Sequence, residues 1–463
     1  MSEREKRVEH LTQQAAVQDT GTGEKLIRVL FFTLILSVMN ASMFNVVLPT
    51  ISKEFQITSS QVSWIVTGYM IVYAIGSVTY GKLADKYRIK DLITFGLIVF
   101  ALGSLVGVFA THYWMVILGR VLQSAGASVI PATAMIIPVR YFPPEKRGRA
   151  LGTTASGLAL GTAIGPIVSG LVSSVTSWRV LFLMSILALI TLPFYRKYLD
   201  DERGTTAKTD IFGGLLLAGM VASLLLAITY ETWLLFLLGI AFFVLLVIRL
   251  RKADSPFIQP ALFKNKKYTF GVGTAFLATG LAFGIPFLTP QLLANVNHLS
   301  PAMIGLIMFP GAISSALLGR KGGRLADEKG NLFLFYLATA FQFIAYSLLS
   351  VTAGLSPYLI LFVLISGNLG QTFMQIAMSN TISRTLPKDQ VGVGMGLFSM
   401  LNFISGATAT TLIGKTLDVG SSAPFNPLLI NQGAIVYSNI FLTLAALVIL
   451  VIILYRSQQR PVK

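Results

Sequence analysis

Arg120 lies deep inside a long apolar run, VILGRVLQSAG, with one amide, Gln123, a helical turn away. A charge at mid-membrane costs about 2.5 kcal/mol or more, so this cation must face water or converging polar groups. A second set of chemistry-bearing side chains is neutral. Asn368, Gln371, Gln375 and Ser379 recur at three- and four-residue steps in another apolar run, which places them on one helix face. Ser399 and Asn402 repeat the spacing in the next run. Amides both donate and accept hydrogen bonds. They could line a ligand cavity or bond one another between helices, at about 0.6 kcal/mol apiece. Tyr69 and Tyr73 share a face of an earlier run and would supply an aromatic wall for such a pocket, although plain aromatic packing explains the same spacing.

The acids stand apart from this pattern. All 19 Asp and Glu residues can be placed in tails, loops or the ends of apolar runs. The chain has no cysteine, and His10, His112 and His298 are scattered, so no metal site and no cofactor is expected. A GxxxxGK[ST] phosphate loop is absent, which disfavours ATP-driven chemistry, and no nucleophile and base cluster, which argues against an enzyme.

The elements that position these residues are membrane helices. Mean hydropathy is +0.73, with 54% hydrophobic and 12% charged residues. Each span needs about 20 apolar residues because all its backbone hydrogen bonds must close within the segment. The hydropathy pattern predicts an all-α polytopic membrane protein with fourteen spans: 27–48, 61–81, 91–110, 113–138, 147–175, 178–198, 210–230, 232–250, 268–294, 300–319, 331–353, 357–383, 391–415 and 434–455. Residues 1–24 form a mixed-charge tail without the apolar core of a secretory signal. With an even number of spans, both termini share a side. Of the 36 Lys and Arg residues, only Lys53, Arg120, Arg179 and Lys415 fall away from it. That bias predicts cytoplasmic termini. It also assigns the net charge of +17 to topology and anionic membrane lipid rather than to nucleic acid.

An internal repeat organises the spans. GKLADKYR at 81–88 follows the second span and GRLADEKG at 323–330 follows the tenth; PPEKRGRALG at 143–152 and PKDQVGVGMG at 387–396 recur at nearly the same offset. Such matched halves imply a six-plus-six duplication. The expected domains are a tail at 1–24, a six-helix bundle at 25–200, an inserted two-helix hairpin with linkers at 201–266, a second bundle at 267–457 and a tail at 458–463. The hairpin carries no polar stripe and is expected outside the bundles, without substrate contacts.

Three motifs resemble the major facilitator superfamily, in its fourteen-span drug-proton antiporter branch. They are the loop signature Gly81, Leu83, Ala84, Asp85, Lys86 and Lys90, with Arg88 in place of a usual glycine; Arg120, Gln123 and Gly126; and the fifth-span antiporter motif Gly152, Gly161, Gly165, Pro166 and Gly170, with Ser169 replacing one glycine. NASMFNVVLP at 40–49 and the last span look like the Gram-positive tetracycline exporters of that branch. The resemblance implies two six-helix bundles plus two inserted helices, rocking about a central cavity. It implies that Asp85, with Lys86 and the repeated Asp327, latches the cytoplasmic ends in the outward state; a tight charged turn that only fixes topology is the alternative. It implies proton relay at Arg120, against a structural arginine bonded to carbonyls and Gln123. The glycines mark exporters, and equally serve close helix packing.

Charge sets this chain apart from those relatives. Many carry an aspartate at the position of Asn40, and the tetracycline exporters have acids matching Ala41 and Thr162 and a lysine near Gln375; none of these charges is present. A secondary exporter of amphiphilic drugs or toxic compounds, exchanging them for protons at the plasma membrane, remains the leading expectation. Protons would then use a boundary acid such as Asp85, Glu231 or Asp418, or travel with the substrate. Alternatives are an uncoupled facilitator or lipid translocator, and a ligand sensor of transporter fold. One uncompensated cation favours neutral, zwitterionic or anionic substrates. The expected cavity residues are Asn40, Tyr69, Tyr73, Asn368, Gln371, Gln375, Ser399 and Asn402.

Overall fold

The computed structural model describes the backbone of residues 3–201, 210–387 and 390–459, with side chains from residue 21 onward except at 144–145 and 458–459. Parts of the expected tails, of the linker before the hairpin, and Lys388 and Asp389 of the second repeat lie outside these residues.

Fourteen helices are long and apolar enough to span a bilayer. They are α1 (Gly21–Phe55), α2 (Ser59–Ala84), α3 (Ile89–Val108), α4 (Tyr113–Tyr141), α5 (Lys146–Val175), α6 (Val180–Tyr198), α7 (Ile211–Tyr230), α8 (Trp233–Lys252), α9 (Lys266–Asn295), α10 (Pro301–Lys329), α11 (Asn331–Thr352), α12 (Pro357–Ser383), α13 (Val391–Val419) and α14 (Gln432–Ser457). Local chemistry sets several ends. Ser300 and Ser356 precede prolines at the first helical turn of α10 and α12, where the missing N–H costs nothing. Ser63 and Ser128 donate back to Ser60 and Ala125 carbonyls where α2 and α4 change direction, the bending expected of serine back-bonding.

Spans α1–α6 form one bundle and α9–α14 the other, with α7–α8 outside both. The hairpin rests on α2 and α13 through α7, and α8 touches little besides α7. Its foot is pinned by Asp210, which accepts from Gly213 N–H, Phe257 N–H and Arg249. Burial pulls the Asp210 carboxyl upward, but these donors outweigh it and hold it below the usual carboxylate range.

One expectation needs correction. The two repeated LAD stretches are not loops of one kind. Gly81 to Ala84 belong to the last turn of α2 and Asp85 is its C-terminal cap, whereas α10 runs through Asp327 to Lys329. The second stretch keeps helical spacing, with an Arg324–Glu328 ion pair one turn apart at 2.5 Å, and stops only at Gly330, whose φ of 87° suits glycine.

The two bundles meet unevenly. At the ends near Phe55 and Val419 the backbones touch. Gly170 faces Pro301 and Ala302, Gly305 faces Pro166, and Gly414 faces Ser59 and Ser60. At the opposite ends, Gly81, Gly152, Gly323, Gly392 and Gly396 have nothing within 4 Å of where a Cβ would stand. The second face also carries most of the bases, including Lys82, Lys86, Arg149, Arg320 and Lys321. The seam is thus closed at one face and open at the basic face.

Candidate functional site: a buried arginine among amides and tyrosines

Five helices converge on Arg120, two turns into α4. The side chain is 1% exposed. Its Nη1 donates to Asn40 Oδ1 of α1 at 2.8 Å and to Gln123 Oε1 at 2.9 Å, and its Nε donates to the Ile65 carbonyl of α2 at 3.2 Å. The guanidinium plane lies 4.3 Å from the Phe44 ring centre and 4.1 Å from that of Tyr69, so π-faces cover the cation where dipoles do not. Outer partners fix the inner ones: Gln123 donates to Ser104 of α3 at 2.8 Å, and Asn40 donates to Ser185 of α6. No carboxylate bonds to this centre among the described residues. Arg120 Nη2 and the Tyr69 hydroxyl are buried without partners.

Asn40 therefore does not line a cavity in this state. It is fully buried, and its amide is spent on Arg120 and Ser185. Tyr69 and Tyr73 do come together, stacked with ring centres 5.7 Å apart. Tyr73 in turn meets Phe403 of α13 edge-on at 4.9 Å, which carries the aromatic wall across the seam between the bundles.

The polar stripe of α12 divides. Asn368 donates to the Leu364 carbonyl of its own helix and packs on Gly311 of α10, a helix-packing role. Gln371 and Gln375 make no hydrogen bond to a described residue, and Gln375 is exposed near the open end. Ser399 is exposed likewise, while Asn402 is buried, accepts from Thr279 at 3.1 Å and leaves its Nδ2 unpartnered. A separate apolar cleft of about 370 Å³ between α9, α13 and α14, walled by residues such as Phe276, Leu412 and Leu447, touches none of these groups.

The other motif residues serve the two ends of the seam. Asp85 and Lys86 are exposed, and the Asp85 carboxylate bonds to no described residue; Asp327 is exposed too. The bases of that signature go elsewhere. Lys90 reaches Asp201 at 2.8 Å and Arg88 lies 3.7 Å from it; the Lys90 bond and charge hold the Asp201 carboxyl below its usual range. On α5 the glycines face two ways. Gly161 and Gly165 meet α1 at Ile35 and Ser42, whereas Pro166 and Gly170 meet α10 of the other bundle. Gly152 stands in open space. Sequence reading missed Ser104, Ser185 and Phe44 around Arg120, because small hydroxyls and a single ring carry no periodic signal.

A family profile matches most of this chain. The Major Facilitator Superfamily profile covers residues 30–410. The chain belongs to this superfamily. It is therefore a transporter, not an enzyme. Curated relatives agree in kind. Riboflavin transporter RibZ of Clostridioides difficile (strain 630) is 29% identical over 388 residues, 81% of this chain and 84% of that protein. The methylenomycin A resistance protein of Bacillus subtilis (strain 168) is 24% identical over 371 residues, 78% and 77% of the two chains. Among solved structures, a bacterial homolog of the human lysosomal transporter Spinster, in an inward-facing and unoccupied conformation, has a TM-score of 0.67 at 14% identity over 96% of this chain and 99% of that one. A POT family transporter in complex with 5-aminolevulinic acid has a TM-score of 0.70 at 12% identity, covering 94% and 96%.

Proposed function

We propose that this transporter exports small amphiphilic compounds, neutral or anionic and bearing a flat aromatic part, across a bacterial plasma membrane in exchange for protons. The Arg120 centre carries the substrate class. It holds a cation met by amide and carbonyl dipoles and two aromatic faces, with no carboxylate bonded to it among the described residues and a spare Nη2 beside the Tyr69–Tyr73 stack. A lipophilic cation gains nothing there, while an acceptor-rich ring system gains a hydrogen bond from Nη2 and edge contact with the Tyr73–Phe403 wall. The basic face is cytoplasmic by the positive-inside bias. Direction rests on the α5 motif of Gly152, Gly161, Gly165, Pro166 and Gly170 and on the methylenomycin relative. Coupling falls to the boundary acids Asp85, Glu231 and Asp418 or to a titrating substrate, and Asp85 latches the basic face in the opposite access state.

The riboflavin transporter relative favours a second reading, transport of a flavin-like nutrient, for which the inward direction is the one to test. Transport into inverted vesicles separates the two. Export predicts accumulation of a flat organic anion that an inside-acid gradient accelerates, with an ethidium-like cation excluded. Riboflavin uptake by right-side-out vesicles supports the second reading, and a preference for the cation removes the first.

A further inference from the structure

One carboxylate from the far half of the chain bonds across the closed face of the seam. The first turn of α2 serves two of its own orphan N–H groups through a capping box: Gln61 N–H donates to the Thr58 hydroxyl and Thr58 N–H donates to Gln61 Oε1. Ser59 and Ser60 N–H are left over, and Asp418 of α13 takes both, Oδ1 at 2.7 Å and Oδ2 at 3.0 Å. Gly414, one turn earlier on α13, lets the backbones meet closely enough for this: a Cβ there would stand 3.0 Å from Ser59 O and from Ser60 Cα. Farther in, Thr67 and Thr411 bond across the same seam at 3.2 Å.

A second prong leaves α13 beside the first. Lys415 reaches Glu231 at 2.5 Å in the turn between α7 and α8, where Glu231 takes a left-handed φ of 51°. The hairpin is tied to the other bundle as well. Trp64 Nε1 of α2 donates to Thr229 at 3.0 Å, and Lys82 donates to the Pro256 and Phe257 carbonyls beyond α8. The hairpin therefore belongs mechanically to the α2 side, and Lys415–Glu231 is an ion pair that joins it to the α13 side.

We propose that Asp418, with Lys415 and Glu231 as a weaker second prong, is a clasp that sets the resting balance toward the state open at the basic face, and that the α7–α8 hairpin is an arm of that clasp. These are positioning residues for transport. When the seam parts, all these groups become solvated, so the clasp lets go without leaving buried polar atoms behind.

The absence of cysteine makes the test direct. Thr411→Cys places one thiol, buried in this state, inside the closed seam. Its maleimide labelling rate in nanodiscs, without substrate, reports opening. Asp418→Ala is expected to speed labelling about tenfold, the scale of losing a charge-assisted hydrogen bond. Asp418→Asn, which keeps one acceptor, gives about threefold, Glu231→Gln about twofold, and Asp418→Glu stays within about twofold of the parent. Ala345→Cys, buried inside α11, must remain protected in every background, which separates opening from unfolding. Labelling by Asp418→Ala within twofold of the parent overturns the proposal. If that variant does not fold, an unchanged rate in Asp418→Asn does so instead. Because no substrate is present, this result is independent of what the transporter carries.

Discussion

Among the described residues the two bundles both bury polar groups, yet only α1–α6 bury a charge. In α1–α6, Arg120 draws partners from several helices, and those partners are bonded in turn to Ser104 and Ser185. In α9–α14 the buried polar groups are neutral: Ser350, Ser438 and Asn426 form one bonded cluster, whereas Asn402 has Thr279 on one side and an open Nδ2 on the other, and Gln342 Nε2 is also buried without a partner among the described residues. A buried cation tolerates no half-satisfied shell, so its neighbourhood interlocks. Neutral amides cost less when underbonded and can stay adaptable. The first bundle thus reads as a fixed recognition post and the second as a pliable wall.

The largest expected effect breaks that contrast outright. Arg120→Leu orphans the Asn40 and Gln123 acceptors, at about 1–3 kcal/mol each, and should lower substrate flux about a hundredfold together with the thermal midpoint. Equal losses for anionic and cationic probes would remove the post from the picture. Asn40→Asp sharpens it instead. A carboxylate 2.8 Å from Nη1 neutralises the centre, and the preference for an anionic over a neutral congener should fall about tenfold, ~1.4 kcal/mol; a competition assay reads it.

Asp210 tests the third body, the hairpin. Its carboxyl is held below its ordinary value when folded, so the stabilisation is present above an unfolded pKa of about 3.9 and is lost as pH falls through the folded value. Melting curves between neutral pH and pH 3 should show that loss in the parent and not in Asp210→Asn, which starts lower. The smallest effect belongs to the pliable wall. Gln375→Ala should raise KM less than about threefold with kcat unchanged, and a hundredfold loss there would reverse the roles of the two bundles.

Much of the fold was legible because hydropathy over twenty residues is a strong signal. The α12 span, expected at 357–383, is Pro357–Ser383. The tenth span was read as ending at 319 but continues to Lys329, since charged residues can keep helical spacing beyond the bilayer. Within the site, Arg120 and Gln123 stood out through charge and spacing alone. Asn40 was noticed for the aspartate it replaces, yet its service to Arg120 depends on α1 meeting α4, which no local pattern encodes. Asp418 was visible only as one boundary acid among several. Its partners are backbone N–H groups, and these carry no residue identity to read.

The outermost helix has one more consequence. Only 11% of the apolar stretch of α8 is buried, so all of this helix but the face against α7 is left to acyl chains. A helix of 20 residues is about 30 Å long, close to the hydrocarbon thickness, and a mismatch is met by tilting. Thicker or thinner lipid will lean this helix before it disturbs either bundle. On the proposed clasp, that lean pulls on Lys415 through Glu231, so bilayer thickness is expected to change the Thr411→Cys labelling rate.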